Sequence, residues 1–156
     1  MSWILERYTI PNKRPSCHAS TILQTKTGYI TSYFAGMVEG HPTTSIYINH
    51  YKDGQWQPQV AVAGYAIDKG WMACWNPVLF RIKDTIQLYY KRGTSPLTWA
   101  TYVMESTDEG QSWKEPRQIG QAGPVKNKPV MLPSGKIIAP SSNEIVRPGR
   151  SPTDAT

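Results

Sequence analysis

A strand, a tight turn and a second strand recur along the chain, opening at Ser20, Pro77 and Pro129, and a repeat of roughly fifty-five residues admits few architectures. In the first copy Ser20-Thr21-Ile22-Leu23 passes through Thr27-Gly28 into Tyr29-Ile30-Thr31-Ser32-Tyr33-Phe34. In the second, Pro77-Val78-Leu79-Phe80 passes through Lys83-Asp84 into Ile86-Gln87-Leu88-Tyr89-Tyr90, and in the third Pro129-Val130-Met131-Leu132 passes through Ser134-Gly135 into Lys136-Ile137-Ile138-Ala139. The second halves correspond as well: Ile46-Tyr47-Ile48 runs to Asp53-Gly54-Gln55-Trp56, and Tyr102-Val103-Met104 runs to Asp108-Glu109-Gly110-Gln111-Ser112-Trp113. No segment sustains the 3.6-residue period of an amphipathic helix, so the chain reads as all-β. A two-sheet sandwich would also supply short strands, but it would not require the same order to recur. Four strands per repeat of this length is the spacing of propeller blades around a central channel. About two and a half to three blades of a propeller are expected.

The 156 residues carry six Trp and nine Tyr but only two Phe, so most large rings have a polar handle suited to half-wet surfaces or to strand edges. Net charge is +6, which favours anionic partners. The Lys and Arg residues are scattered, with no basic run and no helical stripe, which argues against nucleic acid and membrane surfaces and leaves acidic sugar. Cys17 and Cys74 stand in no Cys-x-x-Cys pair and have no His at ligand spacing, so no metal and no cofactor are expected. The Met1-Ser2-Trp3-Ile4-Leu5-Glu6-Arg7 start lacks a signal-peptide pattern, and no stretch reads as a transmembrane segment; the chain is expected to be soluble.

Ser106-Thr107-Asp108-Glu109-Gly110-Gln111-Ser112-Trp113 matches the Ser-x-Asp-x-Gly-x-Ser-Trp pattern of the Asp-box, or bacterial neuraminidase repeat. Gly110 can take a positive φ, Asp108 can accept from turn amides, and Trp113 can bury its ring beneath the turn. Asp53-Gly54-Gln55-Trp56 is a degenerate copy. The motif caps blades and is not catalytic. In order, Pro15–Ile22, Gly36-Met37-Val38-Glu39-Gly40, Cys74-Trp75-Asn76-Pro77-Val78-Leu79, Tyr90-Lys91-Arg92-Gly93, Lys126-Asn127-Lys128-Pro129-Val130 and Pro140-Ser141-Ser142-Asn143-Glu144 resemble the neuraminidase-like group of bacterial sialidase-related propellers. The resemblance implies a longer, closed ring of six blades, so residues 1–144 are expected to be an incomplete six-bladed propeller. Residues 145–156 read as a polar coil, the product of a truncation or frame shift, and closure would need missing blades or self-association.

Repeat alignment sets His18, Trp75 and Asn127 at one ring position, two residues before Ser20, Pro77 and Pro129, where innermost strands converge on the propeller axis. Cys17, Cys74 and Lys126 share the preceding position, which could bring the thiols together or leave two buried free thiols. His18 is the candidate acid or base, since imidazoles ordinarily titrate near neutrality. Glu39, after the second strand, could reach the same mouth as acid, base or hydroxyl acceptor. Lys91, Arg92, Lys126 and Lys128 are candidate clamps for a sugar carboxylate, Arg92 alone offering a bidentate grip. Trp75 is expected to stack on a pyranose, with Asn76 and Asn127 binding hydroxyls.

The sialidase resemblance implies an arginine triad, a Tyr-Glu nucleophile pair and an Asp acid/base. Here Thr9-Ile10-Pro11 has Thr where the family pattern has Arg. That departure argues against sialate hydrolysis by this chain alone, and what the resemblance implies is part of a sialidase-like glycoside hydrolase, exo-acting on a terminal acidic sugar, with the fragment inactive by itself. A uronate lyase and a noncatalytic glycan-binding propeller remain open.

Overall fold

The computed structural model describes residues 7–142, so the coil assigned to 145–156, with Asn143 and Glu144 before it, lies outside the described residues. The first sheet runs β1 (Ser16–Thr25), β2 (Gly28–Gly36), β3 (Ser45–Lys52) and β4 (Gln55–Trp56), with β5 (Val60–Gly64) also paired to β3. A one-turn helix, α1 (Tyr65–Asp68), leads toward the second sheet, β6 (Cys74–Ile82), β7 (Thr85–Arg92), β8 (Ala100–Ser106) and β9 (Arg117–Gly120). A hairpin of β10 (Val130–Met131) and β11 (Ile137–Ile138) follows. Every pairing is antiparallel. These are two blades and the opening of a third, as the repeat predicts.

Alternation along β7 explains how the blades stack. Ile86, Leu88 and Tyr90 are fully buried on one face, while Gln87 and Tyr89 between them are only half-buried. The buried face joins Leu79 and Met104 and meets Ile30, Phe34, Ile46 and Ile48 of the first blade in a single core. Strand β6 packs against β1, β2 and β3, and the Leu79 amide donates to Thr21 Oγ1 of β1 at 3.4 Å.

The repeat holds at residue resolution. Register breaks between His18 and Thr21 in β1 and between Trp75 and Val78 in β6, the same place in each blade. At each break sits a left-handed residue that is not glycine, Ala19 (φ 53°) and Asn76 (φ 43°). In the first blade the Asp53-Gly54 turn between β3 and β4 has φ of 52° and 80°, the positive pair that a two-residue hairpin needs. Buried Asn49 anchors the segment before β1, donating from Nδ2 to Pro11 O at 3.1 Å and accepting from the Tyr33 hydroxyl at 2.8 Å.

The turn after β8 locks the second blade to the first. Ser106 Oγ donates to Asp108 Oδ1 at 2.7 Å and accepts the Gly110 amide at 2.8 Å; Asp108 accepts the amide and hydroxyl of Ser112 at 2.9 and 2.5 Å. These bonds favour the carboxylate and hold the Asp108 pKa down to about 2. Trp113 packs against the shared core. Glu109 takes Arg81 through both oxygens, at 3.0 and 2.6 Å, and accepts the Lys26 amide from the first blade at 3.0 Å.

Gly110 has φ 84°, and a Cβ there would lie 2.5 Å from Ile30 Cδ1. Gly110→Ala should destabilise the protein by about 1–3 kcal/mol in urea unfolding. Gly54→Ala should cost less, because Gly54 has a comparable φ but open space around it. Beside Gly110, burial pushes the His50 imidazole below its ordinary pKa, partly offset by the Glu109 and Gly110 backbone. The sign follows from linkage: a depressed folded-state value means the unfolded chain takes up its proton first. Stability should therefore fall as pH drops below about 6.5. It should level off below the folded value, and in His50→Gln this component of the melting-temperature profile should vanish.

Candidate functional site

The two bulges lie at the same end of the stacked blades, and a cavity of about 380 Å³ opens there, lined by His18, Ser20, Phe34, Glu39, Asn76 and Lys126, with Ala19 beside them. His18 comes from β1, Glu39 from the connection between β2 and β3, Asn76 from the β6 bulge and Lys126 from the segment before β10. Four residues distant in sequence thus share one opening. His18 Nε2 and Glu39 Oε2 stand 4.0 Å apart, both side chains about half exposed. Phe34 pairs in register with His18 and its ring lies 5.6 Å from the imidazole.

Trp75 occupies the ring position of His18 but not its role. It is 8% exposed, its indole N–H donates to Gly93 O at 3.3 Å, and Phe34 and Trp99 each lie 6.0 Å from its ring. The expected open stacking face is absent because Phe34 of the first blade and Trp99 of its own blade enclose the ring. Instead Trp75 supports the mouth from below: it touches Phe34, which touches His18, and a Cβ on Gly40 would lie 2.9 Å from Trp75 Cη2. Gly40 follows Glu39, so the indole sets the height of that loop.

Lys91 is likewise displaced from the expected clamp. It is fully buried, with Nζ donating to Thr101 Oγ1 at 2.7 Å and Gln121 O at 2.6 Å, and lies 5.6 Å from the Trp99 ring centre. Arg92 is held by Asp68, with guanidinium contacts of 2.5 and 3.0 Å; this pairing raises the Arg92 pKa and lowers that of Asp68. Lys128 donates from Nζ to Ile22 O of β1, and burial lowers its pKa. Asn127 is exposed and does not line the cavity.

Both cysteines are free; Cys74 is buried, its thiol pushed up to about 12, whereas Cys17 is exposed, correcting the expectation of a buried pair. Among the described residues no cluster of three or more His, Cys, Asp or Glu could hold a metal ion. No described helix is long and apolar enough to cross a membrane.

Ser20 and Phe34 are lining residues that the repeat alignment passes over. The signal for Phe34 is its place opposite His18 across the β1–β2 hairpin, which is legible only once the register break after His18 is known.

No curated protein matches the chain. Among solved structures, the "Hadza microbial sialidase Hz136" superposes with a TM-score of 0.66 at 17% identity, covering 80% of this chain and 32% of that one. The chain thus spans about a third of that sialidase, and the likeness is one of fold. The family model for the BNR repeat-like domain matches residues 29–155, a span that takes in β3 to β11, nearly all of β2 and the Ser106–Trp113 turn. The chain belongs to the BNR repeat-like domain family, with a sialidase-like propeller fold.

Proposed function

We propose that this chain forms one wall of the active mouth of a sialidase-like glycoside hydrolase that removes a terminal acidic sugar. The observation that carries the reading is the convergence of His18, Glu39, Asn76 and Lys126 on one cavity at the bulged end of the blades. The sequence motif supports the sialidase-like fold on which the reading rests, since Ser106–Trp113 reads as an Asp-box. Glu39 is the acid that protonates the leaving glycosidic oxygen. His18, 4.0 Å away, exceeds direct hydrogen-bond reach and hands the proton across one water or after a small closure. Lys126 supplies countercharge for the sugar carboxylate, and the Asn76 amide offers both a donor and an acceptor to hydroxyls.

Glycoside hydrolysis ordinarily needs two carboxylates, and Glu39 is the one that lines this cavity. Its partner would come from further blades or a second copy, which would also cover the exposed Val130, Met131, Ile137 and Ile138. A second reading draws on the same composition. One imidazole, one carboxylate and one cation suit a uronate lyase, in which His18 removes the proton α to the carboxylate and Lys126 steadies the enediolate.

Incubation with oligosaccharides bearing terminal acidic residues separates the readings: hydrolysis releases a saturated acidic sugar, elimination an unsaturated product absorbing in the ultraviolet, and a binding protein leaves its ligand intact. Under either enzymatic reading His18→Ala and Glu39→Gln should each lower kcat/KM by about a hundredfold or more. Their melting temperatures should stay within about 2 °C of the wild type, because both side chains are half exposed. A sharp loss of stability with turnover intact would assign the pair a structural role.

A further inference from the structure

The connection between β2 and β3 has a second side. Glu39 lines the mouth, whereas Met37 and Thr43 of the same connection line a separate cavity of about 380 Å³ together with Arg14, Tyr47, Tyr65 and Lys69. Among the described residues its charged lining is wholly cationic. The guanidinium of Arg14 lies 5.5 Å from the Tyr47 ring centre, and the Lys69 ammonium lies 5.4 Å from that of Tyr65. The α1 carboxylate next in sequence, Asp68, is turned onto Arg92. Lys69 itself holds φ 59°, a left-handed backbone that lysine rarely adopts.

An exposed indole adjoins this cavity. Trp71 is 64% exposed, yet its ring is fixed by edge-to-face contacts with Tyr65 at 5.7 Å and His41 at 5.8 Å. His41 Nδ1 in turn lies 2.7 Å from Thr43 Oγ1, and Thr43 lines the cavity. Trp71, Tyr65 and Lys69 are therefore one continuous surface, an aromatic platform running into a cationic pocket.

We propose that this surface is a second glycan subsite, taking a pyranose that carries a carboxylate or sulfate. Trp71 receives the apolar face of the ring, an amphipathic surface matching the C–H face of a sugar. Arg14 and Lys69 hold the anionic group, Arg14 through two parallel N–H bonds and Lys69 as a point charge. The two cations rest on tyrosine faces, and among the described residues neither pairs with a carboxylate, so an incoming anion displaces no ion pair there. The choice of an acidic glycan as ligand rests on the reading of the mouth, but the two sites use different residues and can be separated.

Titration calorimetry on the full chain tests this with three probes: an oligogalacturonide, a sulfated neutral oligosaccharide and an unsulfated neutral one of equal length. The first two distinguish carboxylate from sulfate as the preferred anion. Arg14→Gln/Lys69→Asn should weaken binding of the acidic probes by about tenfold or more while sparing the neutral one. Asn is chosen because it tolerates the left-handed backbone. Trp71→Ala should weaken all probes and Trp71→Phe should restore much of the binding, which a merely structural role would not predict; matching thermal melts confirm folding. If acidic binding is lost in His18→Ala and Glu39→Gln but kept in the Arg14/Lys69 variant, the second subsite is refuted and the mouth stands. The converse result retains the second subsite and refutes the mouth. No binding of any probe, or equal binding by every variant, overturns the inference.

Discussion

The packing of the β7 face on the first blade sets everything else in place. Ile86, Leu88 and Tyr90 of β7 share one core with Ile30, Phe34 and Ile46, all nearly or fully removed from water. Burying side chains of this size contributes about 1.5–3 kcal/mol each, so neither blade has comparable means of stability alone. The consequence for function is geometric. Once the faces mesh, β1 and β6 run side by side, and their matching breaks at Ala19 and Asn76 fall at one end.

Polar interactions then fix the angle that apolar packing leaves loose. Ser106, Asp108 and Ser112 close a turn on themselves, and Glu109 carries that turn to Arg81 in β6 and to the Lys26 amide in the first blade. Gly110 lets its backbone come against Ile30, a spacing no side chain would allow. At the opposite side Asn49 ties the chain before β1 to the first blade. The mouth sits on this frame through the Trp75, Phe34 and His18 series, in which a buried indole supports an exposed imidazole.

The blade order was legible because hairpin chemistry and strand alternation are local: Thr27-Gly28, Lys83-Asp84 and Ser134-Gly135 each mark a turn whatever surrounds them. The shared position of His18 and Trp75 was legible for the same reason. What alignment could not supply is what covers each side chain. Trp75 lies where Phe34 and Trp99 enclose it, whereas its counterpart His18 opens toward Glu39. The sequence neighbourhood of Lys91 suggests a clamp, but on the Gln87 and Tyr89 face of β7 Thr101 and the Gln121 carbonyl cover and hold its ammonium. Arg92 found Asp68, a residue on a helix that no period announced. The cations of the second cavity, Arg14 and Lys69, leave no mark in the sequence because they meet only through the fold.

A cavity shared by four residues is a claim about where a ligand goes, and chemical-shift mapping reads that directly. On titration with an acidic monosaccharide, the resonances of His18, Glu39, Asn76 and Lys126 should move together with one dissociation constant, while the Lys91 and Arg92 side chains stay fixed. Shifts confined to Lys91 and Arg92, or a His18 imidazole that does not respond at saturating sugar, would contradict the account.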